Sequence, residues 1–179
     1  MDVGRIYLIS GVPGSGKTSV AGALMRRFAL GLHIPVDDLR EWVVSGIAQP
    51  VPVWTGETTR QFRLAREAAA YTARLYAEAG FAVAVDDVIF PSEAQAIFVE
   101  SLRPHTIARV LLRPSLEVAL ARNAARTNKE FDTSLLAETC RTIYRSMDER
   151  EFAAAGWIVV DSSALSVEET VDEILKRAV

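Results

Sequence analysis

Segment 11–18 carries glycines, a lysine and a threonine at a spacing that can bind phosphate, Gly-x-x-x-x-Gly-Lys-Thr. Glycines let the backbone curl until several N–H groups point at one phosphate, and the start of the following helix adds partial positive charge. Lys17 would reach the β- and γ-phosphates of a nucleotide, and the Thr18 hydroxyl would hold Mg²⁺. The residues predicted to bind the nucleotide are Gly11, Gly14, Ser15, Gly16, Lys17, Thr18 and Ser19.

Two pairs of aspartates follow apolar runs that are expected to be the second and third strands, Asp37-Asp38 and Asp86-Asp87. Because parallel strands end at one edge of a sheet, these carboxylates should lie beside the phosphate loop. An apolar strand ending in Asp is typical of a magnesium-binding position, so Asp86 is predicted to hold Mg²⁺ directly or through water. Asp37, or Asp38 beside it, would accept the proton of an acceptor hydroxyl. Asp38 and Asp87 would contact the substrate or, as the alternative, only cap the following helices.

Arginine dominates the basic residues, with 17 Arg against 3 Lys. Arg122 and Arg126 are four positions apart, so they are predicted to share a helix face next to a polar stretch. Guanidinium groups stabilise charge on a transferring phosphoryl group, and at least one of these two is therefore expected to act in catalysis. The region of about 122–145 would form a lid over the nucleotide. Arg40 and Arg63 would bind an anionic group of the substrate or, equally well explained, lie on a solvated surface.

Short apolar runs alternate with longer helical patterns along the chain, which predicts an α/β fold with a parallel sheet covered on both faces. The expected strands are 6–9, a short one ending at 36, 81–85, 107–112 and 157–160. The expected helices are 17–29, 58–79, one starting at 92, 114–126, 133–154 and a terminal helix after Ser166. Capping boxes are predicted for the pairs Thr58 with Gln61 and Ser166 with Glu169.

The composition fits one domain spanning 1–179, since half of the 179 residues are apolar and 24% are charged. The net charge of −3 argues against a dedicated nucleic-acid binder. One cysteine excludes an internal disulfide framework, and no apolar run approaches the length of a membrane span. The start of the chain has no signal-peptide pattern. We therefore expect a cytoplasmic monomer or homodimer, in which His33 and His105 are structural or surface residues.

The chain resembles the adenylate-kinase-like group of small P-loop kinases, which includes gluconate kinase, chloramphenicol phosphotransferase and AAA-type small kinases. The segments that carry the resemblance are 11–18, 36–39, 85–87 and 113–115, the last leading to Arg122 and Arg126. The resemblance implies a three-layer αβα P-loop fold with a five-stranded parallel sheet of order 2-3-1-4-5, a short helical lid, and ATP with Mg²⁺. It also implies that Asp37 is the catalytic base and that Arg122 lies at the lid entrance. Residues 161–163 would contact the adenine.

The sequence departs from the nucleoside monophosphate kinases after the third strand. Those enzymes have Asp-Gly-Phe-Pro-Arg, whereas this chain has Asp-Asp-Val-Ile-Phe-Pro at 86–91, which argues against a nucleotide acceptor. The favoured hypothesis is a kinase that transfers the γ-phosphoryl group of ATP to a hydroxyl of a small molecule. The alternatives are a nucleotide-binding ATPase or regulatory module without this activity, and a polynucleotide 5′-kinase. A GTP switch is disfavoured because Asn128-Lys129 lacks an Asp at the required spacing.

Overall fold

The computed structural model describes residues 4–125 and 136–178. These residues contain one sheet of five parallel strands in the order β2-β3-β1-β4-β5, which confirms the predicted order. The strands are β1 (Ile6–Ser10), β2 (Gly31–Pro35), β3 (Ala82–Asp86), β4 (Ile107–Leu112) and β5 (Ile158–Val160). Every residue of β1 and β3 is buried, as expected of central strands covered on both faces.

Helices cover both faces of this sheet. They are α1 (Lys17–Met25), α2 (Val36–Glu41), α3 (Gly56–Glu78), α4 (Pro91–Ala94), α5 (Leu116–Ala124), α6 (Leu136–Ser146), α7 (Glu149–Ala154) and α8 (Val167–Arg177). A π-helical turn, Gln95–Val99, continues α4. Successive side chains of β1 point to opposite faces: Ile6 and Leu8 pack with α3, while Tyr7 and Ile9 pack with α1 and α8.

The second strand ends earlier than predicted. β2 stops at Pro35, and Asp37 and Asp38 lie in the first turn of α2 instead of closing the strand. Proline has no N–H with which to continue a strand ladder, and acidic residues are favoured in the first turn of a helix. Both aspartates nevertheless follow the carboxyl end of β2, where Pro35 pairs in register with Asp86.

The predicted capping box of the long helix was displaced by three residues. Thr55 caps α3: its hydroxyl accepts a hydrogen bond from the Thr58 N–H at 3.1 Å, and Thr58 Oγ1 accepts from the Thr55 N–H at 3.2 Å. Gln61 instead holds the preceding loop, since its amide donates to the Gly46 carbonyl and accepts from the Ala48 N–H. Two threonines three apart satisfy the same pattern as Thr with Gln.

The helix expected at 133–154 is interrupted within its described part. α6 ends at Ser146, and Asp148 caps α7 by accepting hydrogen bonds from the N–H groups of Arg150 and Glu151 at 2.7 and 3.2 Å. α1 also ends earlier than expected, at Met25. The Ser166–Glu169 capping box of α8 is confirmed.

Replacing Thr55 with Ala should lower the free energy of unfolding by about 1 kcal/mol, because the first turn of α3 loses its side-chain cap. Urea unfolding of both proteins measures the difference. Thr72→Ala is the matched control, since Thr72 lies in the middle of the same helix and donates only to the Ala68 carbonyl. An equal loss in both variants would contradict the cap.

In the part of the chain that the structure describes, no helix has both the length and the apolar character that a membrane crossing requires.

Candidate active site

The phosphate-binding segment forms the turn between β1 and α1, at the carboxyl edge of the sheet. Gly14 and Gly16 have positive φ angles, 82° and 92°, and Gly16 is the residue before the first turn of α1. A Cβ atom added at Gly14 would lie 2.1 Å from the carbonyl oxygen of Ala119 in α5. Glycine is therefore required at position 14 both by backbone conformation and by the close approach of α5.

Lys17 folds back over this loop. Its ammonium group donates to the carbonyl oxygens of Gly11 and Val12 at 2.8 and 3.2 Å. The Ser15 hydroxyl is buried and has no hydrogen-bond partner among the described residues. A buried polar group without a partner is rare in proteins. The loop therefore offers a cation and an unsatisfied hydroxyl, which fits the binding of an anionic phosphate.

Asp86 and Thr18 meet at the same edge of the sheet. Asp86 is the last residue of β3, and its Oδ1 accepts a hydrogen bond from the Thr18 hydroxyl at 3.4 Å. A hydroxyl and a carboxylate are oxygen ligands of the kind that Mg²⁺ prefers. The described residues contain no group of three or more His, Cys, Asp or Glu that could hold a metal. A magnesium ion at this pair would therefore complete its coordination with phosphate oxygens and water.

His33 contacts Asp86, which the sequence analysis did not predict. Its Nε2 lies 2.6 Å from Oδ2 of Asp86, the carboxylate oxygen opposite the one that contacts Thr18. His33 lies two residues before Pro35 on β2, and Pro35 pairs with Asp86, so the register brings the imidazole to the end of β3. The signal in the sequence is the two-residue spacing between His33 and Pro35, because residues two apart on a strand point to the same face. This spacing identifies the contact with Asp86 only when β2 is known to pair with β3.

Asp87 is part of a buried ion pair with Arg66 of α3. Arg66 Nε donates to Asp87 Oδ2 at 2.5 Å, its NH1 donates to Glu93 at 2.7 Å, and its NH2 donates to the Val88 carbonyl at 2.9 Å. Burial raises the pKa of Asp87 to about 6, although Arg66 opposes this shift. Asp87 does not cap a helix, since α4 begins only at Pro91.

The remaining predicted acceptor residues have different surroundings. Asp37 and Asp38 are exposed in the first turn of α2. Arg40 is 5% exposed, donates to the Ala48 carbonyl at 2.8 Å, and its guanidinium carbon lies 3.9 Å from the centre of the Phe62 ring. Arg63 is not brought into this group: it is exposed and pairs with Glu67 along α3 at 3.5 Å.

Asp37 belongs electrostatically to the Arg66–Asp87 cluster. Burial is the main cause of the raised pKa of Asp87, and the negative charge of Asp37 adds to it. Burial also lowers the pKa of Arg40, which Asp37 and Asp87 oppose. The charge of Asp37 therefore acts on both Asp87 and Arg40. The end of β3 and the start of α2 lie at the same edge of the sheet as the phosphate loop.

The residues that were predicted to form a lid are described in part. Arg122, in the last turn of α5, donates to the carbonyl oxygen of Ser162 at 3.1 Å, in the segment expected to contact the adenine. The Ser163 hydroxyl accepts from the Ser115 N–H at 2.8 Å and ties this segment to the start of α5. The expected lid residue Arg126 lies outside the described residues, as does much of the proposed lid at 122–145.

Solved structures of small kinases share this fold. A sugar kinase from Janibacter sp. HTCC2649 is 19% identical, with a TM-score of 0.64 and coverage of 97% of this chain and 93% of that one. A gluconokinase from Sinorhizobium meliloti 1021 is 24% identical, with a TM-score of 0.64 and coverage of 99% and 92%. A shikimate kinase from Acinetobacter baumannii, in complex with shikimate, is 17% identical, with a TM-score of 0.66 and coverage of 98% and 92%.

No curated protein sequence matches the chain. A family model described as an AAA domain matches residues 6–149, which include the phosphate loop, both aspartate pairs and Arg122. This match covers most of the chain, and the sheet order and the phosphate loop agree with it. The protein belongs to the AAA domain family and has the P-loop fold of the adenylate-kinase-like small kinases.

Proposed function

We propose that this protein is an ATP-dependent phosphotransferase that transfers the γ-phosphoryl group to a hydroxyl of a small molecule. The observation that carries the proposal is the hydrogen bond from the Thr18 hydroxyl to Asp86 at the phosphate loop. Asp37 lies on the same edge of the sheet, in the first turn of α2. A phosphate loop alone supports binding of a nucleotide. Asp37, a carboxylate outside the Thr18–Asp86 pair, would add a group that can accept a proton from an alcohol.

The proposed mechanism depends on positioning and electrostatics, because phosphoryl transfer asks little covalent chemistry of the protein. The N–H groups of the loop and the ammonium group of Lys17 would bind the phosphates and stabilise charge as it develops. Thr18 and Asp86 would hold Mg²⁺, which when bound neutralises charge on the β- and γ-phosphates. Asp37 would accept the hydroxyl proton, and Asp38 beside it would orient the acceptor.

Arg122 would stabilise the transferring phosphoryl group, together with Arg126 from the proposed lid. Two observations support this assignment: Arg122 donates to the Ser162 carbonyl in the expected adenine segment, and its helix α5 approaches the phosphate loop closely at Gly14. Closure of the lid would exclude water from the phosphoryl group and so protect ATP from hydrolysis. Arg40 and Asp87 would contribute to binding of the acceptor, and Arg63 would take no part, because it is exposed and paired with Glu67.

A screen of alcohols tests the proposal. The protein is mixed with ATP, Mg²⁺ and single acceptors from a panel of sugars, polyols, nucleosides, antibiotics and polynucleotide 5′ ends, and release of ADP is recorded. At least one small alcohol should raise the rate well above that with water alone. The Lys17→Met variant is the control and should show no such increase. ADP release that no acceptor changes would contradict the proposal, and a response to polynucleotide ends alone would favour the alternative kinase.

Replacing His33 with Ala should weaken metal binding at Asp86 by roughly 10-fold, because a group that orients a metal ligand typically contributes that much. The readout is Mn²⁺ binding in the presence of ADP, followed by electron paramagnetic resonance, which does not require turnover. His33→Gln keeps a hydrogen-bond donor and should restore part of the affinity. His105→Ala is the matched control. Equal Mn²⁺ affinity in the wild type and His33→Ala would contradict the role of His33.

A further inference from the structure

The face of α3 that points away from the sheet carries an apolar row, called here the α3 stripe and defined as Leu64, Ala68, Tyr71 and Leu75. Successive members are four, three and four residues apart, which is the spacing of a coiled-coil seam. Leu64 is 45% exposed, Tyr71 is 58% exposed and Leu75 is 47% exposed. Scattered apolar residues on a surface are normal, whereas a contiguous exposed row is typical of an interaction site. The α3 stripe is therefore a candidate docking surface.

A second copy of this chain is complementary to the stripe when the two α3 helices run in opposite directions. With a two-fold axis between Ala68 and Tyr71, the spacing places Leu64 of one copy opposite Leu75 of the other, and Ala68 opposite Tyr71. Each of these contacts then occurs twice. In the central layers a small side chain faces a large one, which allows two helices to pack closely. The order of residues in the stripe is therefore self-complementary.

The charges beside the stripe are complementary in the same arrangement. Glu67 and Arg74 lie seven residues apart on one flank of the stripe, and Arg60 and Glu78 lie beyond its two ends. Antiparallel packing brings Glu67 of each copy near Arg74 of the other, and Arg60 near Glu78. A parallel pair would place like charges at the same level. Among the described residues, Arg74 is in no ion pair and its guanidinium carbon lies 5.2 Å from the centre of the Tyr71 ring, so its charge is available to a partner.

We propose that two copies of the protein associate through their α3 stripes, antiparallel and about a two-fold axis. The charged residues around the stripe favour this occupant over a membrane, because acids and bases are equal in number, whereas a membrane-binding helix is rich in Lys and Arg. They are Glu57, Arg60, Arg63, Glu67, Arg74 and Glu78. One helix from each copy makes a small interface, so the dissociation constant should be roughly 10⁻⁶ to 10⁻⁴ M. Association of this kind is independent of the proposed activity.

Sedimentation velocity over a range of protein concentrations tests this dimer. Between roughly 1 and 300 μM the wild type should change from monomer to dimer. Tyr71→Glu places a charge in the central layer and should raise the dissociation constant by about 10-fold or more. Val44→Glu is the matched control: Val44 is 98% exposed, lies outside α3 and should leave the dimer unchanged.

Charge reversal tests the antiparallel arrangement. Glu67→Arg and Arg74→Glu should each raise the dissociation constant several-fold, since like charges then meet, and combining the two should restore the wild-type value. A wild type that stays monomeric at every concentration would overturn the proposal, and its binding to anionic lipid vesicles would assign the stripe to a membrane instead. A dimer that tolerates Tyr71→Glu, or single reversals that the double variant does not rescue, would also overturn it.

Discussion

Replacing Asp37 with Asn should lower kcat for phosphoryl transfer by roughly 10²- to 10⁴-fold, the contribution typical of a positioned general base. Asn has nearly the same shape as Asp but cannot take the proton of the acceptor hydroxyl. Asp37 lies outside the phosphate loop, in the first turn of α2, so the dissociation constant for ATP should change by less than about 3-fold. ADP release under saturating acceptor and ATP binding by titration measure the two quantities.

Asp38→Asn is the matched control for this experiment. The two aspartates are adjacent, both exposed and in the same helical turn, so general electrostatic effects of losing one carboxylate are shared. A large loss in Asp37→Asn with a small loss in Asp38→Asn supports Asp37 as the base. The reverse pattern would transfer the role to Asp38. Full activity of both variants would remove the base from this turn and leave the aspartates as residues that stabilise the start of α2.

The sequence predicted the parts of the site that depend on local chain geometry. The phosphate loop combines glycines and Lys17 within eight residues, and the strand before it and the helix after it follow from the apolar pattern. The position of Asp86 at the end of a strand was predicted for the same reason, since it ends an apolar run. The errors of the fold concern element ends, such as the cap of α3 at Thr55, and the break between α6 and α7.

The partners of these residues could not be predicted, because they come from distant parts of the chain. His33 reaches Asp86 only through the pairing of β2 with β3, and Arg66 reaches Asp87 from the middle of α3. A signal for Arg66 does exist: it occupies the buried face of α3, between Phe62 and Ala69, where helical periodicity calls for an apolar residue. An arginine on such a face requires an acidic partner, but the periodicity does not identify which one.

Replacing Arg66 with Met should lower the free energy of unfolding at pH 8 by about 3–5 kcal/mol, the usual result of removing one partner of a buried ion pair. Met fills similar space but leaves Asp87 buried without its cation and Glu93 without one of its contacts. Urea unfolding measures the loss. Arg63→Met is the matched control on the same helix: its pair with Glu67 is exposed, so the loss should be below about 1 kcal/mol.

The loss in Arg66→Met should shrink as the pH is lowered. Burial already places the pKa of Asp87 at about 6 in the folded wild type, above the ordinary value of 3.8. A group with a raised folded-state pKa contributes stability that is present at low pH and lost as the pH rises through that pKa. Without Arg66 the pKa of Asp87 rises further, so the variant gains stability on acidification before the wild type does.

Urea unfolding at pH 8 and at pH 5.5 should therefore give a larger difference in the free energy of unfolding between the two proteins at pH 8. A difference that is equal at both values would show that the loss comes from packing alone and not from the charge of Asp87.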